Sequence, residues 1–335
     1  MSKKNAVLMA VSDDHCFAAF CTILSIKDNS PNVYNKCEFI ILHNGICPQN
    51  MDAILMIRDD IRFIRSDLRM AKNIELMFEN PTPKHLWRLE KLSVFGLLKE
   101  YKRILCIDCD IYVNRPLDYI FDADFDCAFI HVDRSDGPLV YPHLINNLDD
   151  EALGPEGAFI VFDESVNRFN ITTEVLKEIS HNLKILRKNP DEIIYSYLMY
   201  HFGMKCLQLP IKANTSLGIR DMGRCTLQHF ARTEKPWIKD YVFRLFPRWG
   251  AAFHKFRYCG GVNYPPIIED KNSFYNYTFT IRVLHTYQDM AKNYPGILMN
   301  HRKIFKSYVK YRKIRKLFRH PYLYFRDMIF KKKKK

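Results

Sequence analysis

The chain has 335 residues, of which 47% are hydrophobic and 26% charged, and this ordinary composition excludes a wholly disordered or fibrous protein. Its length allows one large domain or two modest ones, with a sizeable core. The formal net charge is +14, and residues 302–335 account for all of it with 15 Lys or Arg and one acid. The positive charge therefore belongs to a C-terminal appendage, because residues 1–301 are formally neutral.

Short apolar runs alternate with helical patterns along the first two thirds of the chain. An apolar run at 6–11, a polar turn and the apolar stretch 17–26 predict a strand, a loop and a helix. Further strands are predicted over 38–43, 61–64, 103–108, 127–131, 158–162 and 206–209. Helices are predicted over 86–98 and 191–202. This alternation predicts an α/β fold with a parallel sheet.

The ten cysteines are scattered, many of them in apolar runs where a free thiol behaves as a small hydrophobic group. The N-terminus has no secretory apolar region, and no apolar run is long enough to cross a membrane. A reducing, cytoplasmic location is therefore predicted. Cys106 and Cys109 have C-x-x-C spacing, but they have no second such pair and are interpreted as thiols of a buried strand.

The sharpest motif is the pair of carboxylates Asp108 and Asp110 at the end of the predicted strand 103–108. Ligands bind outside the carboxyl ends of strands in open α/β sheets, and residues i and i+2 of an extended chain point to the same side. The pair can therefore hold Mg²⁺ or Mn²⁺ through oxygen, and the cation can hold a diphosphate. The alternative is a solvated loop that merely ends the strand.

A second motif runs from Leu227 to Trp237 and contains His229 and Lys235. A neutral imidazole can ligate a divalent cation, and a lysine six residues later can reach a phosphate as a point charge. A buried histidine before a surface loop is the alternative for an isolated His, but the whole string favours a ligand.

These motifs resemble glycosyltransferase family 8, which contains bacterial lipopolysaccharide galactosyl- and glucosyltransferases and glycogenin. Four blocks fit in order over about residues 5–240. They are AVSDD at 10–14, like the family's nucleotide-binding strand and loop; WRLEKL at 87–92 with YKRILCIDCD at 101–110, like its donor-binding helix and D-x-D strand; PDE at 190–192, where the family usually has Asp-Gln; and HFARTEKPW at 229–237, like its H-x-x-G-x-x-K-P-W string.

The resemblance implies a GT-A fold, a Rossmann-like mixed sheet flanked by helices. It implies retaining transfer of a hexose from a UDP-sugar, UDP-galactose or UDP-glucose, to a lipopolysaccharide or another surface glycan or glycolipid. The implied metal is Mn²⁺ or Mg²⁺, held by Asp108, Asp110 and His229. The implied donor-binding residues are Val11, Asp13, Asp14, Lys91, Asp108, Cys109 and Lys235, and the implied catalytic residues are Asp191 and Glu192. The implied domains are a catalytic domain at 1–240, an acceptor-side region at 241–301 and a basic tail at 302–335.

The sequence departs from the family pattern at three points. Arg232 replaces the Gly of the last string, Glu192 replaces the usual Gln, and Glu156-Gly157-Ala158 replaces Asn-Ala-Gly. The metal-ligating residues are kept, so the departures concern the sugar and acceptor side. Glu192 is either an acid favoured by the helix macrodipole or a carboxylate that faces the anomeric carbon.

The basic tail, residues 302–335, has Tyr and Phe interleaved with Lys and Arg, which is typical of a segment that docks on an anionic membrane surface. We expect a peripheral protein on the inner face of the cytoplasmic membrane, with no nucleic-acid partner. A disordered solubilising tail and nucleic-acid binding are the alternatives, although the aromatic content disfavours pure disorder. The second function class is a non-catalytic nucleotide-sugar or nucleic-acid binder, which needs no metal triad.

Overall fold

The computed structural model describes residues 3–66, 89–130, 155–183, 190–211, 213–214, 225–230, 235–237 and 246–265. These residues all belong to one unit, which comprises Met1–Ser216 and Asp221–Glu269. The basic tail, Arg232 and the first part of the helix predicted over 86–98 lie outside the described residues.

The described strands form two sheets. In chain order they are β1 (Asn5–Ala10), β2 (Cys37–His43), β3 (Arg62–Arg65), β4 (Arg103–Ile107), β5 (Ile111–Val113), β6 (Cys127–Phe129), β7 (Phe159–Asp163), β8 (Cys206–Gln208), β9 (Ala213–Asn214) and β10 (Leu227–His229). Seven of them make a sheet in the order β3-β2-β1-β4-β7-β6-β8, and three make a sheet in the order β5-β10-β9. The strand predicted over 6–11 corresponds to β1, and the six strands predicted after it also correspond to strands of the larger sheet.

The larger sheet is mixed. Strands β1, β2, β3 and β4 pair in parallel, whereas β7 runs antiparallel to both β4 and β6. The purely parallel sheet predicted from the alternation is therefore wrong at β7, and the mixed sheet implied by the resemblance is confirmed. The reversal has a consequence for the site: residues that precede β7 lie beside residues that follow β4.

The described helices are α1 (Cys16–Asn29), α2 (Pro31–Lys36), α3 (Pro48–Leu55), α4 (Val94–Leu97), α5 (Thr173–Leu183), α6 (Pro190–His201) and α7 (Pro247–Tyr258). No described helix combines the length and apolarity that crossing a membrane requires. Instead of one continuous helix, residues 91–98 form a 3₁₀ turn, Lys91–Ser93, followed by the short α4. The turn places Lys91 inside the protein, where it is 2% exposed.

Both faces of the larger sheet are buried. Leu8, Ile104 and Phe162 lie on the face that packs against α4 and α6, where Phe95 and Tyr195 contact the Phe162 ring at centroid distances of 5.0 and 5.3 Å. Alternate strand residues such as Val7, Leu105 and Val161 are also fully buried. Two covered faces explain why the strands read as continuous apolar runs.

Helix α1 is apolar nearly all round, and every residue from Cys16 to Ile26 is buried. A helix of this kind must be covered on several sides, and α1 packs against β5, α2 and α7. Helix α7 begins at Pro247, beyond the predicted domain division at residue 240. The division at residues 240 and 301 stays a prediction.

Candidate functional site

The candidate site lies at the carboxyl end of β4. The Asp108 N–H donates to the Ala158 carbonyl oxygen at 2.9 Å, which continues the β4–β7 ladder past its register pair Ile107 and Phe159. The antiparallel pairing therefore brings two segments together, residues 108–110 after β4 and residues 156–158 before β7.

Helix α1 contacts the turn at 108–110 through the side chain of Thr22. The Thr22 hydroxyl oxygen lies 2.7 Å from the carbonyl oxygens of both Cys109 and Ile111, and its single hydrogen serves one of them at a time. Burial raises the pKa of the Cys109 thiol, and the acids on either side of it act in the same direction. Cys109 thus keeps a neutral thiol, and its predicted contact with the donor stays a prediction.

Asp108, Asp110 and His229 form a candidate metal site. Each offers one ligand atom, and these atoms all lie within 4.8 Å of one another. His229 Nε2 is 3.3 Å from Asp110 Oδ1 and 3.9 Å from Asp108 Oδ2. Two carboxylates and an imidazole suit a divalent cation such as Mn²⁺, so the residues fit the metal that the family resemblance implies. In the described part of the chain, no other group of three such ligands is found.

The smaller sheet brings His229 to this place. Strand β10 pairs antiparallel with β5 so that His229 lies opposite Ile111, and the Phe230 N–H donates to the Asp110 carbonyl oxygen at 2.9 Å. On its other side, His229 Nδ1 faces Glu156 Oε1 at 3.5 Å. A carboxylate behind a ligating histidine orients its ring, so Glu156 holds the imidazole toward Asp108 and Asp110.

The carboxylates also control the charge of His229. Burial alone lowers its pKa, but Asp110, Glu156 and Asp108 more than offset that effect and raise the pKa to about 10. Without a cation, the site thus favours the imidazolium form. A cation bound at Nε2 requires the neutral ring, so binding releases that proton.

Lys235 provides the second positive charge next to Asp110. Its ammonium forms an ion pair with Asp110, donates to the Phe230 carbonyl oxygen at 2.9 Å and lies 4.9 Å from the centre of the Trp237 ring. Burial alone raises the pKa of Asp110, but Lys235 and His229 hold it well below its usual range. Asp110 is therefore a carboxylate throughout the ordinary pH range.

Lys91 lies at the centre of a buried charge network. Its ammonium donates to Asp108 Oδ1 at 2.9 Å and to the Gly157 carbonyl oxygen at 2.7 Å, and it pairs with Asp191 Oδ2 at 2.8 Å. Burial opposes the positive charge, but the two carboxylates outweigh it and raise the pKa. An ammonium has three N–H donors, and these three acceptors use them all. The predicted contact with the donor therefore requires Lys91 to exchange one protein acceptor.

Asp191 and Glu192 lie in the first turn of α6 and are buried, with exposures of 2% and 5%. Both side chains lie against Gly157, whose N–H donates to Glu192 Oε1 at 3.4 Å. A Cβ on Gly157 would lie 2.7 Å from both Asp191 Oδ2 and Glu192 Cγ. Only glycine leaves room for the two acids at this position, which connects them to the Lys91 network.

The predicted nucleotide loop is held mainly by protein contacts. Val11 is buried, and its N–H donates to the Leu42 carbonyl oxygen at 2.9 Å. Asp13 Oδ1 accepts hydrogen bonds from the Cys47 N–H and from Asn50 Nδ2, each at 2.9 Å. Asp14 differs, because its side chain is 67% exposed. Among the described residues, no hydrogen bond joins Asp13 or Asp14 to the Asp108–Asp110–His229 group.

The sequence places Glu156 and Gly157 only among the departures that concern the sugar and acceptor side, whereas the structure brings them to His229 and Lys91. The signal that points to them is their position directly before a predicted strand. In a parallel sheet the residues before a strand lie at the edge opposite the site, and only the antiparallel direction of β7 brings them to the metal ligands.

The mixed sheet, with acids at the end of β4 and a histidine on the neighbouring small sheet, fits the GT-A fold that the resemblance implies. Residues 6–240 match the family model described as "Glycosyl transferase family 8". The chain therefore belongs to glycosyltransferase family 8 and is a glycosyltransferase. No curated protein matches it.

Several solved structures share the fold. One is an active-site mutant of LgtC in which Glu replaces Gln, with 16% identity, 73% of this chain and 95% of that chain covered, and a TM-score of 0.57. Another is the galactosyltransferase LgtC with donor and acceptor sugar analogues, with 16% identity, coverage of 77% and 95%, and a TM-score of 0.54. The apo form of the bifunctional glycosyltransferase WbbM has 17% identity, coverage of 76% and 52%, and a TM-score of 0.53. Similarity at this level shows the GT-A fold alone.

Proposed function

We propose that the protein is a retaining hexosyltransferase that uses a UDP-sugar, UDP-galactose or UDP-glucose, and Mn²⁺ or Mg²⁺. The observation that carries the proposal is the Asp108–Asp110–His229 group, whose ligand atoms lie within 4.8 Å of one another. LgtC, a galactosyltransferase with a similar fold, has been solved with donor and acceptor sugar analogues, which supports a sugar donor here. A non-catalytic binder needs no such group, and no observation favours it.

In this proposal, Asp108, Asp110 and His229 would hold the cation, which would supply positive charge against the negative charge of the departing diphosphate. Lys235 supplies a further positive charge at the same place, because its ammonium already lies beside Asp110. Val11, Asp13, Asp14 and Cys109 remain proposed donor contacts. Lys91 holds Asp108 and Asp191 through its buried ammonium and reaches the donor after an exchange of partner.

Retention of the anomeric configuration requires either a carboxylate nucleophile, or departure of the leaving group and attack by the acceptor on the same face of the sugar. Asp191 is already paired with the ammonium of Lys91, so its charge is largely neutralised. Glu192 is buried beside it and is the proposed group that stabilises, or attacks, the anomeric carbon. Its 5% exposure is low for an acid whose only role is a favourable interaction with the helix macrodipole. The macrodipole interpretation stays the alternative.

The acceptor is proposed to be a lipopolysaccharide or another surface glycan or glycolipid. Residues 241–301 are proposed to contribute to its binding. The basic tail at 302–335 is proposed to dock on anionic lipid at the inner face of the cytoplasmic membrane, and its net charge of +14 supports this.

The test is the release of UDP from UDP-galactose and UDP-glucose with and without Mn²⁺. Asp110→Asn removes a charged ligand and should abolish the metal-dependent turnover while the fold is retained. Asp124→Asn is the matched control, since that carboxylate is 90% exposed and pairs with Lys205 at the surface. Full activity of Asp110→Asn in EDTA contradicts the proposal.

A further inference from the structure

The segment that follows α7 contacts the loop between β1 and α1. Asn263 Nδ2 donates to Asp13 Oδ2 at 2.7 Å, although the two residues are 250 positions apart. One residue earlier, the Val262 N–H donates to Asn50 Oδ1 at 2.8 Å. A segment from beyond the family-matched region, which ends at residue 240, thus contacts the loop that carries a proposed donor residue.

The backbone of this segment is shaped by residues other than the Asn263 side chain. Gly260 has a φ of +88°, which favours glycine. Gly261 lies so close to Phe256 that a Cβ would come within 2.2 Å of the ring. Asn263 itself has a φ of 58°, in the left-handed region that asparagine enters more readily than most residues. The turn therefore presents the amide of Asn263 to Asp13.

The two oxygens of Asp13 have different partners. Oδ1 accepts hydrogen bonds from Cys47 and Asn50 at the start of α3, whereas Oδ2 accepts from Asn263. Burial acts to raise the pKa of Asp13, but these hydrogen bonds together hold it below its usual value. Both oxygens are thus engaged, which fixes the rotation of the carboxylate and the position of the loop behind it.

We propose that Asn263 is a positioning residue for donor binding, which acts by holding Asp13 and the loop at 11–14 in the conformation that receives the nucleotide. The inference rests on the proposed function, because Asp13 is a proposed donor contact. A loop ordered before binding does not have to be ordered by the ligand, so the loss of Asn263 weakens nucleotide binding. The chemical step should be unaffected, since the Asn263 side chain makes its described hydrogen bonds to Asp13 and Cys47 and not to the residues at the end of β4.

The test measures the Kd of UDP in the presence of Mn²⁺ by calorimetry. Asn263→Gly removes the side chain and tolerates the left-handed backbone, and it should raise the Kd roughly five- to tenfold, the effect of losing one ordinary solvent-exposed hydrogen bond. Asn263→Asp places a like charge against Asp13 and should raise the Kd further. Val262→Ala keeps the backbone N–H to Asn50 and should leave the Kd unchanged. In turnover assays the two Asn263 variants should raise the donor KM and keep kcat within about twofold.

The melting temperature separates positioning from stability. If the Asn263 variants melt at a lower temperature but bind UDP as tightly as the wild type, Asn263 only stabilises the fold and the inference is overturned. Wild-type binding with an unchanged melting temperature overturns it as well. If the wild type itself does not bind UDP, the proposed function fails and this inference fails with it.

Discussion

Gly157→Ala tests the arrangement around Lys91 most directly. The added Cβ would lie 2.7 Å from Asp191 Oδ2 and from Glu192 Cγ. Ordinary contacts between such atoms begin at roughly 3.5 Å, so the acids or the backbone must move by about 0.8 Å. Because Asp191 and Glu192 are both buried, this overpacking should lower the free energy of unfolding by about 1–3 kcal/mol. The backbone adds no strain, since the φ of Gly157 lies outside the left-handed region.

The same shift should affect turnover. Asp191 pairs with Lys91 at 2.8 Å, and Lys91 in turn holds the metal ligand Asp108. A displacement approaching 1 Å at such a network should reduce kcat on the order of tenfold to a hundredfold. Urea unfolding and UDP release measure the two effects on the same preparation.

Gly96→Ala is the matched control for this substitution. Gly96 lies in α4, and an added Cβ there meets no atom within 4 Å. The control should gain roughly 0.5–1 kcal/mol of stability, the usual difference between Gly and Ala within a helix, and keep the wild-type rate. Wild-type stability and turnover in Gly157→Ala would refute the reasoning, because the two acids could not then lie against this glycine.

Three further outcomes are expected. Glu192→Gln should lower kcat about a hundredfold with little change in donor KM if Glu192 acts on the anomeric carbon, whereas a helix-end acid would lose less than tenfold, and near wild-type turnover would contradict the catalytic role. Burial alone raises the pKa of Asp126, but hydrogen bonds from Arg168 and Ser165 bring it down to about 2. This folded-state pKa lies below the unfolded value of 3.8, so about 2 kcal/mol of stability that is present above pH 4 should be lost as the pH falls through 2. Urea unfolding of Asp126→Asn should lack that loss. An equal loss in the variant would contradict this prediction. A chain that ends at residue 301 should fail to bind anionic vesicles but still hydrolyse the donor slowly, and vesicle binding equal to that of the full chain at low and high salt would contradict membrane docking by the tail.

The end of β4 could be predicted from the sequence because its signal is local. An uninterrupted apolar run indicates a buried strand, and the carboxylates of Asp108 and Asp110 must leave the core where the run stops. The partners of Lys91 could not be predicted in this way. Gly157 lies 66 positions later and reaches Lys91 only because β7 runs antiparallel to β4. Strand direction depends on how the whole sheet assembles, and the residues of β7 do not encode it locally.

The same limit applies to the contact between Asn263 and Asp13. The left-handed backbone of Asn263 is compatible with its residue type, but its partner is 250 positions away. Nothing in the residues around Asn263 indicates which loop the turn will meet.

The aromatic rings beside Lys235 give the protein an optical reporter of its own site. Trp237 and Trp249 stack with ring centroids 5.5 Å apart and planes 27° apart. The Lys235 ammonium lies 4.9 Å from the centre of the Trp237 ring while it is paired with Asp110. Indole emission responds to a nearby charge, so a cation that competes for Asp110 changes the field on Trp237 and hence its fluorescence. The chain has only three tryptophans. In a Trp87→Phe background all tryptophan fluorescence comes from the stacked pair. Cation binding at the Asp108–Asp110–His229 group can then be followed without any sugar donor.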